Sequence, residues 1–445
     1  MIESREKRPS AIVVGGGWSG ISAAWKLVRE GFAVAIYDDG TTLGGRSASE
    51  TLRGRSVCLG GKNIGRRYSL FREFARAFDV EAYEHFGISS SRIDGGRVVP
   101  VDGHRRVRAI ARYLRHARLG DVRQFARLQR AIKDHRSNSF LGGLAFAEAA
   151  GPDDIRLSSA FSPYVVDNLI RPMTVRMNGA EPAETYLGNF GTNLSLILDS
   201  FEQLTGGFDA LFERFSRVVD VHLGHTVDEL RIAGNSVSGI VARDSDGSRH
   251  DVDADLVVLA VPARAAARLL GPGQPKLGGV LREVRYFPVG VLVVDYDRDV
   301  FPVDRRALVF PKESVISNAG AYGLDELNVV RYTFSGAEAR NYLDSSPSAE
   351  DLLQTPESAL DPYVPVRGAR ARGSVARMWS HGLCAYGPSH GKRLELIHRA
   401  VADIRGLGLA GDYMRGASLE ACFQAGSEAA EAATRTRLKA GGSLP

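Results

Sequence analysis

AIVVGGGWSG, residues 11–20, runs a short apolar strand pattern straight into a glycine cluster. From Ile21 the apolar spacing turns helical, with Ile21, Ala24, Leu27 and Val28 on one face, and Gly31 stands where a helix C′ glycine belongs. Ala33 to Tyr37 reads as a second strand that ends at Asp38 and Asp39. In G-x-G-x-x-G register, Gly15 makes the tight turn, Gly17 lets the backbone approach a pyrophosphate, and Gly20 lets the helix pack on the strand. The phosphates then sit on the free N–H groups at the helix start, Trp18 and Ser19. Asp38 lies 21 residues after Gly17, the place for an acid that accepts ribose hydroxyls, with Asp39 beside it. Strand, glycine loop, helix, strand and acid in this order predict a dinucleotide site.

The next residues select the dinucleotide. Thr41-Thr42-Leu43-Gly44-Gly45-Arg46 ends eight residues after Asp38, a spacing that resembles the E-x(5)-G-G-R signature of flavin-containing amine oxidases and their relatives. A second glycine turn at Gly45 and an arginine at Arg46 serve a longer, extended cofactor; FAD fits this and NAD does not require it. Leu59-Gly60-Gly61-Lys62-Asn63-Ile64-Gly65 is similar to the family's loop that passes against the isoalloxazine ring, with Cys58 where relatives often have Asp. The helix pattern after it (Leu70, Phe71, Phe74, Ala75, Phe78) has the family's length and spacing.

Later motifs resemble the same family in the same order. Leu204 to Leu211 resembles the re-entry into the cofactor domain. His222 to Leu230 resembles the strand along the adenine, with Val227 at the position whose backbone contacts the base. Leu256 to Pro262 resembles the parallel strand that follows. Gly408 to Tyr413 and Arg415 to Ala430 resemble the closing motif. There the resemblance assigns the acid after Gly411, Asp412, to the ribityl-phosphate region. It also assigns a helix N-terminus at Ser418-Leu419-Glu420 to the flavin N1–C2=O edge, where reduction places negative charge.

The resemblance covers essentially the whole chain and implies an α/β fold. A Rossmann-like FAD-binding domain of discontinuous residues 8–100, 205–272 and 402–438 is expected, with an inserted α+β substrate-binding domain from 101–204 and 273–401. The first insert is helical in pattern. The second carries strand runs at Val289–Tyr296, Arg306–Phe310 and Asn328–Phe334. Residues 1–7 and 439–445 read as loose termini.

Composition agrees. The 445 residues allow two or three domains, and 44 % hydrophobic with 24 % charged residues is a globular balance. Glycine, at 49 residues, exceeds the usual ~7 %. No apolar run suits a membrane span, and the start, MIESREKRPS, has no signal-peptide stretch. Three cysteines, Cys58, Cys384 and Cys422, make no disulfide framework, so a cytoplasmic location is expected. The net charge of +5 is local: His104 to Arg136 holds eleven Arg and Lys against two Asp. A solvated basic helix face explains it, and a membrane or acidic partner is the minority reading. No nucleic-acid motif and no metal site are expected, and an oligomer is left open.

The branch of the family is read from what is missing. Monoamine-type relatives carry a lysine on the strand after P-x-G, whereas Pro288-Val289-Gly290 is followed by Val291-Leu292-Val293-Val294. Two aromatic side chains frame the amine in those relatives; the one in the closing motif falls on Ser418, and the Trp before it on Arg415. Trp379, Tyr386 and His390 instead follow the W-x(6)-Y-x(3)-H spacing of protoporphyrinogen oxidase and phytoene-desaturase relatives, with Cys384 replacing a proline. Cys384 also stands near where some amine oxidases attach flavin; a buried, unreactive thiol and non-covalent FAD are expected.

Lys62, Trp379, Tyr386 and His390 are the candidate catalytic residues, each with a packing or surface role as its alternative. Arg171, Arg176, Tyr186 and His381 are further candidates for substrate contact or proton movement. The resemblance implies removal of a hydride from a C–H next to nitrogen in a small molecule, with O2 as acceptor. Desaturation of a conjugated or isoprenoid substrate and a redox-neutral isomerisation or cyclisation remain as alternatives.

Overall fold

The computed structural model describes residues 8–85, 90–100, 115–152, 154–197 and 199–438. The basic run before Arg115 and both expected loose termini lie outside the described residues.

The opening strand forms over Ser10–Val14 and takes the centre of a five-stranded parallel sheet. The order is Asp220–Leu223, Ala33–Asp38, Ser10–Val14, Leu256–Leu259, Leu407–Leu409. Ile12 lies opposite both Ala35 and Val257. Side chains alternate across this sheet, so each strand feeds two cores. Ala11, Val13, Leu256 and Val258 pack with the helices Trp18–Arg29, Ser69–Ala77 and Leu419–Leu438. Ile12, Val14, Val257 and Leu259 pack on the other side with Leu230, Ile240, Ala266 and Ile397. Both faces are covered, which is why the run reads as continuously apolar.

The first and last helices lock the domain closed. A Cβ on Gly426 would lie 2.1 Å from the Ser19 carbonyl oxygen, and Ser22 Oγ donates to Phe423 O at 2.7 Å.

His222–Leu230, expected as one strand, is two. Asp220–Leu223 stays in the parallel sheet beside Ala33–Asp38, whereas Thr226–Ala233 joins an antiparallel sheet with Ser236–Arg243 and Arg249–Asp253. Gly224, at φ +70, turns the chain between them while its N–H bonds Gly40 O. Val227 is buried and pairs with Ala242.

A seven-stranded sheet carries the second layer, in the order Ala371–Ala385, Arg285–Tyr296, Val329–Phe334, Asn318–Ala321, Ala307–Val309, Ser90–Asp94, Arg97–Pro100. One face, with Leu292, Val294, Tyr332 and Phe334, is covered by the helices Ala337–Asp344 and Ala349–Leu360. The other, with Val291, Val293 and Val329, packs on Leu52, Val57 and Leu59. Between residues 119 and 197 the chain is helical, around Leu128, Phe146, Phe161, Ile170 and Phe190.

The strand pairing departs from the expected domain limits. Ser90–Pro100, expected in the first segment, pairs into the seven-stranded sheet, with Leu308 opposite Ser91. Phe201–Leu204 pairs with Ile64–Gly65 and Tyr83–His85 on the cofactor side. The helices Pro275–Arg282 and His390–Ala402 put Leu277, Leu281, Leu394 and Ile397 into the parallel-sheet core rather than the substrate layer. Long-range strand pairing and helix docking decide these limits, and neither has a local sequence signal. Among the described residues, no helix is long and apolar enough to cross a membrane.

Candidate active site

The glycine loop is a frame held from behind and open in front. Gly15 has φ +104, and a Cβ there would lie 2.5 Å from the Ala260 carbonyl oxygen; one on Gly20 would lie 1.8 Å from Gly15 O. Gly17 differs: a Cβ there meets no atom within 4 Å. The helix starting at Trp18 has no side-chain cap and no acid in its first turn, so its first N–H groups are left for an outside acceptor. The indole of Trp18 turns into the core among Phe71, Phe208, Phe212 and Phe423, so this residue offers only its backbone. Ser19 is buried beside it.

Asp38 closes the frame. Its carboxylate accepts from Gly16 N at 2.6 Å and Gly40 N at 2.7 Å. Burial pushes its pKa up, against the pull of those two N–H groups. Each oxygen keeps acceptor capacity for a hydroxyl. Asp39 is exposed next to it.

Further along, Gly45 lies against Gly17 and leads into Arg46. Arg46 Nη1 donates to Asp412 Oδ2 at 2.8 Å and to Gly382 O at 2.7 Å. Burial works against its charge, but the Asp412 carboxylate outweighs that and raises its pKa above the ordinary guanidinium value. Asp412 is 1 % exposed and also accepts from Tyr286 OH at 2.9 Å, whereas the Arg46 side chain keeps 37 % of its surface open.

The loop Leu59–Lys62 is pinned by a residue that the motif reading missed. Arg331 gives Nη1 to Gly60 O at 2.8 Å and Cys58 O at 3.4 Å, and Nη2 to Leu59 O at 2.9 Å. A lone cation inside the apolar run Val329–Phe334 was the available signal. Gly60 packs against the Arg46 carbonyl, while a Cβ on Gly61 would meet nothing within 4 Å. Lys62 Nζ bonds Tyr322 O and sits 3.6 Å over the Tyr322 ring. Burial, helped by Arg331, pulls Lys62 down to about 8. Trp379 is half-buried against the same cluster of Leu59, Val291 and Tyr322.

Tyr386 and His390 are spent differently. Tyr386 OH donates to Asp412 O at 3.1 Å, and His390 Nε2 bonds Tyr413 O at 2.8 Å. Both side chains are buried and brace the Gly411-Asp412-Tyr413 turn. His381 is exposed, bonding Ser380 and Arg264. Tyr186 lines a water-sized cavity with Asn178, Asn193 and Tyr386. Arg171 is paired with Glu181 at 2.7 Å.

Burial holds His390 neutral, down to about 4 from an ordinary 6.5. A depressed histidine contributes its full stability above the unfolded value and loses it as pH falls towards the folded value. Between pH ~6.5 and ~4 the wild type should therefore lose about 3 kcal/mol that His390→Gln does not lose. Denaturant midpoints of both proteins at pH 7, 5.5 and 4 check this; parallel curves would refute it.

The closing helix runs Leu419–Leu438, and Ser418 Oγ caps it by accepting from Ala421 N at 3.2 Å. Leu419 is buried. Glu420, 4 % exposed, was not singled out for its side chain. It accepts from Leu70 N at 3.0 Å and Phe71 N at 3.1 Å, capping the helix Ser69–Ala77 from outside.

Comparison with known proteins agrees with this geometry. The profile of the family described as flavin containing amine oxidoreductase matches residues 18–434. Among solved structures, cyclohexylamine oxidase from Brevibacterium oxydans IH-35A superposes with a TM-score of 0.73 at 16 % identity, covering 96 % of this chain and 99 % of that one. A protein assigned as a protoporphyrinogen oxidase from Exiguobacterium sp. 255-15 gives 0.71 at 17 %, covering 97 % and 99 %. Reduced UDP-galactopyranose mutase gives 0.69 at 15 %, covering 98 % and 97 %. At such identities the structures speak for the fold alone, but the family match spans nearly the whole chain. The chain belongs to the flavin-containing amine oxidoreductase family and is an FAD-dependent oxidoreductase acting on small molecules.

Proposed function

We propose that this protein is an oxidase that binds FAD non-covalently and removes a hydride from a C–H next to nitrogen in a small amine-, amide- or amino-acid-derived substrate. O2 takes the electrons, and the enzyme works in a reducing, cytoplasmic compartment. One observation carries the reading. Gly17 and Gly61 face empty space while Gly15, Gly16, Gly20, Gly45, Gly60 and Gly65 of the same loops are packed, and the uncapped helix start at Trp18 and the open donors of Arg46 belong to the same cradle.

The residues fit the cofactor. Trp18 and Ser19 N–H groups take the phosphates, Asp38 with Asp39 beside it takes the ribose hydroxyls, and the backbone at Val227 takes the adenine. Gly45, Arg46 and Asp412 hold the middle of the molecule, and Gly60, Gly61 and Lys62 line the ring end. The helix start at Ser418-Leu419 supplies unpaired N–H groups and a positive dipole end. The bound flavin supplies the two-electron acceptor. The protein then has to position the substrate carbon and exclude water, with few acid–base groups. Lys62, at about 8, is the group able to hold or release a proton near the ring. Trp379 walls the cleft, whereas Tyr386 and His390 act through the Asp412 turn they brace. Cys384, fully buried with its thiol pushed well up, supports non-covalent binding.

The experiment is anaerobic mixing of the flavin-loaded protein with a panel of amines and amides, followed by air. Bleaching near ~450 nm and peroxide on reoxidation are expected, with all flavin released on denaturation. Bleaching only by conjugated apolar compounds would replace this reading with a desaturase. Turnover without peroxide or any net oxidant would replace it with a redox-neutral isomerase.

A further inference from the structure

The helix Leu119–Asp134 lies in the most basic stretch of the chain, where His104 to Arg136 holds eleven Arg and Lys against two Asp. Its inner side is Asp121, Leu128, Ala131 and Ile132. At about 100° per residue, Leu119, Arg123, Ala126, Arg130 and Lys133 fall on the opposite side, with Val122 and Arg127 at its margins, and all of these are exposed. Asp121 is the sole acid between Arg115 and Lys133. It is turned inward, where it accepts from Arg118 N at 2.8 Å, Ser162 N at 2.8 Å and Ser162 Oγ at 2.6 Å. The outward face therefore carries cations with no acid among them before Asp134.

Ion pairs do not neutralise this face. Arg115, Arg118, Arg123, Arg127, Arg130 and Lys133 are all exposed, and none forms an ion pair among the described residues. Exposed arginines elsewhere do: Arg29 has Glu73, Arg76 has Glu81, Arg217 has Glu213, and Arg298 has Asp297. Among the same cations stand two aliphatic side chains one turn apart, Leu119 at 65 % exposure and Val122 at 38 %. The other large apolar side chains exposed among the described residues, Val218, Val303, Met378 and Leu396, are scattered singly along the chain. Solvation accounts for the charge of the helix but not for an aliphatic pair set within it.

We propose that this face docks the protein onto an anionic phospholipid surface, with Leu119 and Val122 entering the headgroup region and the cations around them meeting the lipid charges. Each cation brought to such a surface strengthens binding about fivefold, and the aliphatic pair adds to this by leaving water. Long arginine stems let the charges stay at headgroup level while Leu119 goes deeper. A second copy of the chain on this face would set like charges against each other. A nucleic acid would use the cations but leave the aliphatic pair idle, and the helix exposes no Phe, Tyr or Trp on which bases could stack. An acidic protein would need an apolar socket matched to the pair, whereas a bilayer receives it anywhere. Docking of this kind does not rest on the oxidase reading.

The test is cosedimentation of the FAD-supplied protein with vesicles of phosphatidylcholine alone, and of phosphatidylcholine and phosphatidylserine mixed two to one, at low ionic strength. Thermal midpoint is measured on the same samples. The wild type should bind the mixed vesicles about a hundredfold or more tighter than the neutral ones and release them as salt screens the cations. R123Q/R130Q/K133Q should weaken that binding about a hundredfold, at about fivefold per cation. It should keep the wild-type midpoint, because none of the three side chains is buried or hydrogen-bonded among the described residues. R130Q alone, about fivefold weaker, supplies the comparison should the triple variant fold poorly. L119S/V122S should weaken vesicle binding about tenfold while leaving binding to heparin, a polyanion with no apolar phase, unchanged. Equal binding to the two kinds of vesicle overturns the proposal, as does a folded triple variant that binds like the wild type. Wild-type vesicle binding by L119S/V122S overturns it too, leaving a site for polyanions in place of a lipid-docking face.

Discussion

Gly17→Val yields a folded protein that binds flavin about a hundredfold more weakly than the wild type, or not at all. The expectation rests on the contrast between two glycines three residues apart. A Cβ on Gly17 meets no protein atom within 4 Å, and its φ of −71° with ψ of 176° is open to any residue. Valine there costs the fold only the few tenths to ~1 kcal/mol of a poor N-cap. It does, however, fill the space through which a phosphate must approach the N–H groups of Trp18 and Ser19. Each charge-assisted hydrogen bond lost is worth ~1.5–3 kcal/mol, so two suffice for the stated factor. Gly20→Val is the counter-case. Its Cβ would fall 1.8 Å from Gly15 O, so it should damage folding itself. Flavin content, and the thermal midpoint of the apoproteins, separate the two. A Gly17→Val protein isolated with a full complement of flavin would remove the cradle from the site.

Arg46→Met lowers stability by about 3 kcal/mol, at the lower end for a broken buried pair because Arg46 is itself more than a third open. The loss comes from Asp412, which stays 1 % exposed with only Tyr286 OH for its charge. Adding Asp412→Asn should recover more than half of it, since an amide needs no counter-charge and can still accept from Tyr286. The double mutant will remain poor at flavin binding, because the donors of Arg46 are gone in both backgrounds. Denaturant midpoints over the four-protein cycle, with flavin titrations, check this. Additive losses would show that the two groups do not act as a pair.

Much of the glycine frame was legible because it is local. Gly15, Gly17, Gly20 and Asp38 act through backbone shape and contacts within or beside one strand–loop–helix–strand unit, and their spacing carries that geometry, whereas Arg46 acts on Asp412 and Gly382 from far along the chain. Arg331, Tyr286 and Tyr322 were not legible in the same way. They meet the loop at Leu59–Lys62 or the turn at Asp412 from strands and loops more than a hundred residues away. Tyr386 and His390 show the reverse case. Their spacing is recognisable, but the hydroxyl and the imidazole are used on the carbonyls of Asp412 and Tyr413.

The sequence by itself determined the cofactor unit and the family, since a glycine that must turn, admit a phosphate or pass a helix leaves its mark at a set distance from its neighbours. Only the tertiary structure decided that Ser90–Pro100 joins the distant seven-stranded sheet, and that Arg331 clamps three carbonyls of the loop Cys58–Gly60. It alone left Arg176 without a partner among the described residues while Arg171 on the same helix is paired. Strand register and side-chain partnership are set by which surfaces pack together, and that pairing is fixed by the whole buried interior rather than by any local stretch of chain.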